Sequence, residues 1–184
     1  MDLECNWHTM PDRGLRVIQG IENIVTVLRV NGSARQVEAP PGATLLHVLR
    51  GPLSLKGAKE ACGRGECGSC TVLIDGVPVM ACLTLAARVR GEVTTVEGLS
   101  DEFRDLREAF ADLGGFQCGF CTSGQLVRAA ALLRAGIPHG RDEAEKHIRY
   151  EMSGNICRCT GYNGIVDAIW ATVEKRRSKA QAAT

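Results

Sequence analysis

Aromatic residues are scarce in this chain: 4 % of 184 residues, with two Trp, two Tyr and four Phe. A core must therefore rest on Val, Leu, Ile and Ala. The hydrophobic fraction of 45 % supplies them, which excludes a wholly disordered chain. Net charge is nearly absent too, at +1. No global field draws the chain to nucleic acid or to an anionic membrane. No apolar run approaches the ~20 residues of a membrane-spanning helix. Residues 1–20 hold no continuous apolar stretch and no small-residue cleavage site. Arg176-Arg177 lies at the wrong end for a twin-arginine export signal. The expected location is the cytoplasm. There is no Ser-His-Asp set, phosphate loop or dinucleotide fingerprint, so no substrate chemistry is expected on this chain.

Cysteine is what the chain has in excess, nine residues. In a reducing compartment, clustered cysteines more often bind metal or do redox chemistry than form disulfides. Cys62, Cys67 and Cys70 have four and then two residues between them, and Cys82 follows after eleven more. That is the plant-type [2Fe–2S] spacing. Gly63, Gly65 and Gly68 would let backbone amides turn inward toward the sulfurs. The plainer reading is zinc, but zinc sites usually pair two short Cys-x2-Cys hooks, and only one pair here has that spacing. Cys118 and Cys121 form a second group with Cys157 and Cys159, after a gap of thirty-five residues. By spacing alone, zinc, a redox dithiol or an iron–sulfur cluster all suit this group. Its placement just before two expected helices, whose N-termini carry partial positive charge, suits an anionic cluster. Cys5 is left over.

The pattern of elements changes along the chain. Residues 1–23 show no period and read as an arm. Ile24–Val30 and Ser33–Glu38 read as strands around Asn31-Gly32, a strong hairpin signal. Thr44 is placed to cap a short helix through Leu49. Thr71–Asp75 and Val77–Met80 read as a second hairpin around Asp75-Gly76, and Val93–Val96 as a last strand. After Gly98 the period becomes helical. The first helix has Ser100 as cap, Phe103, Leu106, Phe110 and Leu113 inward, and Gly114-Gly115 as stop. The second begins at Thr122 or Ser123, with Leu126, Val127, Ala130 and Leu133 inward. The third opens on Asp142 and Glu145 as a capping box. The fourth begins near Asn163, with Ile165, Val166, Ile169 and Val173 inward and Lys175 to Arg177 at its end. From Ser178 a frayed tail is expected.

Several residues invite roles that the spacing does not support. His8, His47, His139 and His147 have no partner at ligand spacing. Trp170 reads as core or interface. Glu60 and Glu66 have no acid–base partner. Lys59, Arg64 and Arg158, beside the thiols, are placed to offset cluster charge.

"CGRGECGSCTVLIDG", "QCGFCTSGQ" and "GNICRCTGY" together resemble the iron–sulfur subunit of the molybdenum hydroxylases, the xanthine dehydrogenase, carbon monoxide dehydrogenase and aldehyde oxidoreductase family. The resemblance covers about Ile24 to Arg176, and all eight ligand positions are filled in the family's order. It implies an α+β chain. An N-terminal plant-type ferredoxin-like β-grasp domain, 24–99, is followed by an all-α four-helix bundle domain, 100–177, between the arm 1–23 and the tail 178–184. It implies two [2Fe–2S] clusters, one on Cys62, Cys67, Cys70 and Cys82, the other on Cys118, Cys121, Cys157 and Cys159. It also implies partners: a large subunit with a molybdenum–pterin cofactor and a medium subunit with FAD, in a dimer of heterotrimers. Electrons would pass from molybdenum through both clusters to FAD, and substrate choice would belong to the large subunit. Gln117 matches a glutamine that contacts the pterin, and Cys159 a ligand that also approaches it. The rivals are a stand-alone two-cluster electron carrier and a zinc-stapled interaction module.

Overall fold

The computed structural model describes residues 22–99 and 101–182. Cys5, Trp7, His8 and the expected cap Ser100 lie outside them.

Two hairpins and a later strand make a five-stranded sheet. Its strands are β1 (Ile24–Val30), β2 (Ser33–Ala39), β3 (Thr71–Ile74), β4 (Val77–Met80) and β5 (Glu92–Thr94), in the order β2-β1-β5-β3-β4. β1 and β5 run parallel, and the other pairs are antiparallel. Both hairpin turns have positive φ at both central residues, Asn31 (52°) and Gly32 (77°), then Asp75 (49°) and Gly76 (82°). This is the type I′ geometry that matches strand twist. Both turns also dock on β5. Asn31 Oδ1 accepts from the Thr95 amide at 2.9 Å, and Asp75 Oδ1 from the Glu92 amide at 2.8 Å. The first bond ends β5 sooner than expected. The chain leaves the sheet after Thr94 and coils into a 3-10 turn at Val96–Gly98.

One short helix, α1 (Leu45–Arg50), packs on the sheet through Leu45, Leu46, Val48 and Leu49. Thr44 Oγ1 accepts from the His47 amide at 3.1 Å, the expected N-cap. β3 is buried on both faces, which its unbroken apolar run Val72-Leu73-Ile74 anticipates. Val72 packs with Leu45, Leu49 and Val93, while Leu73 belongs to the core of the helical region.

That second core is built by α2 (Arg104–Asp112), α3 (Thr122–Ala135), α4 (Arg141–Glu151) and α5 (Asn163–Ala182). Phe103, Leu106, Phe110, Val127, Ile148, Ile165 and Ile169 fill it, all at most 1 % exposed. Trp170 joins it, with the guanidinium groups of Arg141 and Arg177 over its ring.

Four details depart from the sequence reading. Leu113 is exposed, because α2 stops at Asp112 and the chain turns at Gly114. Leu133 is only partly buried at the edge of the core. α4 begins at Arg141 after Gly140, with no side-chain cap. Asp142 sits in its first turn, where a carboxylate suits the helix dipole, and Glu145 pairs with Arg149 at 2.8 Å. α5 continues through Ser178 to Ala182, so Lys175, Arg176 and Arg177 lie within it rather than at its end. Their charges serve tertiary bonds instead. Arg176 grips Asp105 of α2, and Arg177 donates to the Ile137 carbonyl at 2.6 Å.

Candidate metal centres

The first three thiols lie on a loop, 62–70, between α1 and β3, and Cys82 lies just after β4. Gly63, Gly65 and Gly68 all have positive φ, at 65°, 79° and 71°. That backbone turns amides toward Cys62. The amides of Arg64, Glu66 and Cys67 hold its thiol down to about 6, and the Glu66 amide is 3.4 Å from Sγ. Cys70 is the opposite case, since burial pushes it up to about 12. A bound cation would favour the thiolate there. Arg64 forms an exposed ion pair with Glu66 at 3.1 Å, so Glu66 does have a partner and Arg64 is partly neutralised.

The second set is assembled at the helical region's end. Cys121 immediately precedes α3, and Cys157 and Cys159 lie on the turn before α5. Cys118 and Cys159 are 3.7 Å apart through Sγ and both are exposed. Burial pushes Cys121 up to about 12. Burial opposes ionisation of Cys157 as well, but the Thr160 hydroxyl and amide together with the Cys159 amide and the Cys121 thiol lower its pKa overall. The Tyr162 hydroxyl accepts from the Cys157 amide at 2.8 Å.

The thiols fall into four pairs. Cys67 perturbs the Cys62 thiol, Cys82 the Cys70 thiol and Cys157 the Cys121 thiol, and Cys118 and Cys159 are 3.7 Å apart through Sγ. Among the described residues, no three His, Cys, Asp or Glu side chains gather closely enough to enclose one metal ion. A dinuclear cluster takes two thiolates at each of two irons, and two pairs per set fit that donor pattern.

Residues 28–100 match the 2Fe-2S iron-sulfur cluster binding domain family, and residues 95–170 match the [2Fe-2S] binding domain family. The chain is 44 % identical over 156 residues to the aldehyde oxidoreductase iron-sulfur-binding subunit of Escherichia coli (strain K12), covering 77 % of this chain and 68 % of that one. It is 39 % identical to the nicotinate dehydrogenase small FeS subunit of Eubacterium barkeri, covering 83 % of this chain and 98 % of that one. Quinoline 2-oxidoreductase from Pseudomonas putida 86 superposes with a TM-score of 0.76 at 41 % identity, covering 85 % of this chain and 98 % of that chain.

The chain belongs to the iron–sulfur subunit family of the molybdenum hydroxylases. Members of this family are iron–sulfur subunits of multi-subunit oxidoreductases, which supports a role in electron transfer. Among the described residues no helix is long and apolar enough to cross a membrane.

Sequence reasoning brought out the eight thiols and Gln117, which lies exposed beside Cys118. It passed over Asn155, Tyr162 and Gln125. The first two stand inside "GNICRCTGY", next to the ligand candidates. Gln125 is a lone amide on the apolar stretch of α3, and it is fully buried. A polar side chain in such a setting is a signal for a partnered buried group.

Proposed function

We propose that this chain passes electrons from a molybdenum–pterin centre on a large subunit, through two [2Fe–2S] clusters, to FAD on a medium subunit. Cys62, Cys67, Cys70 and Cys82 hold one cluster in a ferredoxin-like β-grasp domain, 24–99. Cys118, Cys121, Cys157 and Cys159 hold the other in a four-helix bundle domain, 100–177. The second cluster is the one beside molybdenum. Gln117 touches the pterin, and Cys159 approaches it. The complete enzyme is a dimer of heterotrimers in the cytoplasm.

The observation that carries this reading is the surface around the second set. Cys118, Cys159 and Gln117 are exposed there, and so are Phe116 (43 %), Phe120 (46 %) and Ile156 (52 %). Exposed apolar side chains near an accessible thiol pair in the chain suit a permanent partner. A free carrier has no need of one.

The test uses the assembled enzyme. Cys67→Ser should damage the ferredoxin-like cluster and cut the route to FAD, while substrate still reduces the helical-domain cluster. Rapid-reaction spectra follow each step. If Cys67→Ser blocks reduction of an intact helical-domain cluster, the order of carriers is wrong. Gln117→Ala should leave both clusters in place and weaken the pterin contact by about 1–3 kcal/mol, the worth of one hydrogen bond to a polar cofactor.

A further inference from the structure

The two thiol sets meet across a buried seam. Asn155, 2 % exposed, stands two residues before Cys157. Its Nδ2 donates to the Gly68 carbonyl at 3.0 Å and to Thr71 Oγ1 at 3.2 Å. Thr71 Oγ1 in turn donates to the same Gly68 carbonyl at 2.6 Å. The Asn155 carbonyl accepts from Gln125 Nε2 at 2.7 Å, and Gln125 lies one helical turn beyond Cys121. One residue further on, the Ile156 amide donates to the Cys67 carbonyl at 2.9 Å. A single residue thus joins the loop of Cys67 and Cys70 to both segments that carry the second set, through its side chain toward the loop and its backbone carbonyl toward α3.

The packing leaves this seam no slack. A Cβ at Gly68 would lie 2.5 Å from the Gly154 carbonyl, and one at Gly124 would lie 2.3 Å from the Gly68 carbonyl. Backbones in such close approach can slide only if the polar bonds across them give way. The side chain's chemistry is also specific. An amide nitrogen offers two hydrogens, and here two acceptors face it. An aspartate of the same shape offers none when ionised, and a buried unpaired carboxylate is strongly disfavoured.

We propose that Asn155 is a positioning residue that fixes the separation of the two clusters, and so the rate at which electrons cross between them. This rests on the assignment of one cluster to each thiol set. Asn155 is not what keeps the two regions attached, because Leu73 of β3 is part of the helical core. Its loss loosens the seam without separating its sides.

The test is electron paramagnetic resonance of the full chain, reduced with dithionite, with iron counted in the same samples. Two reduced clusters at a fixed separation split each other's signals. Asn155→Ala should keep its iron and both signals but lose the resolved splitting, as the separation spreads over a range. Asn155→Asp should lose it more completely. Thr71→Val keeps the volume, removes one acceptor, and should broaden the splitting without abolishing it. A fully loaded Asn155→Ala protein with unchanged splitting overturns the proposal. Should that variant fail to hold iron, unchanged splitting in Thr71→Val overturns it equally. A wild-type chain with one cluster only overturns the cluster assignment first, and the proposal with it.

Discussion

The first thiol set draws three members from one glycine-rich loop and a fourth from the end of the adjoining hairpin. The second draws two from each of two segments, with thirty-five residues between Cys121 and Cys157. In the first, local backbone geometry does most of the work: positive φ at three glycines turns amides onto Cys62. In the second, tertiary structure does it. α3 and α5 must pack on one core before Cys121 can meet Cys157. Three of the first set's thiols are brought together by one loop, whereas the second set depends on the packing of the fold and, with a metal bound, would also staple it.

Removing one cluster at a time is the harshest way to test that contrast. Cys67→Ser and Cys121→Ser should each lose half the bound iron, read by metal analysis. Cys121→Ser should destabilise the chain by roughly 1 kcal/mol more than Cys67→Ser, because the second set closes a gap about three times longer. Thermal unfolding of the two variants measures the difference. Equal losses would mean that the second set is no staple.

A finer comparison lies within the first loop. Gly63 and Gly68 share a positive φ, but only Gly68 faces a neighbouring backbone, the Gly154 carbonyl. Gly63→Ala should cost about 1–2 kcal/mol for its conformation alone. Gly68→Ala should cost about 2 kcal/mol beyond that for the forced contact. Denaturant midpoints of the two variants, both iron-loaded, give the answer.

The helical region also depends on the paired, half-buried ions Asp105 and Arg176, which join α2 to α5 through bonds of 2.8 and 2.9 Å. Asp105→Asn should cost about 1–3 kcal/mol, as for hydrogen bonds to charged groups. The Arg176 guanidinium holds the Asp105 carboxyl below its usual range. This stabilisation is therefore complete above the ordinary carboxylate value of about 3.9, and is lost as pH falls through the depressed one. Wild type and Asp105→Asn should converge in stability as acid protonates Asp105. In the sheet region the smallest effect is expected at Thr44, where Thr44→Ala removes one cap bond worth about 1 kcal/mol.

How far the sequence could be read follows the same divide. Both hairpins, the cap at Thr44 and the first thiol set were visible because each depends on residues close together in the chain. The pairing of Cys118 with Cys159 and of Cys121 with Cys157 was not, since spacing alone left zinc or a dithiol equally open there. Resemblance to the family, rather than periodicity, tied those thiols together. The errors were made where tertiary bonds override local signals. Asn31 takes the Thr95 amide and ends β5 early, and Arg176 and Arg177 reach across to α2 and to the loop after α3 rather than closing a helix. Asn155 was overlooked because its partners lie more than eighty residues away.

The most direct test of the central claim is the metal content of the chain together with its reduced spectrum. Iron, acid-labile sulfide and zinc are measured on the same preparation, and electron paramagnetic resonance is recorded after dithionite reduction. With two irons for each matched domain, the chain should hold four irons and show two distinct signals, because one cage is largely local and the other exposed at a helical surface. Zinc in place of iron in either set, or two irons with a single signal, would contradict it.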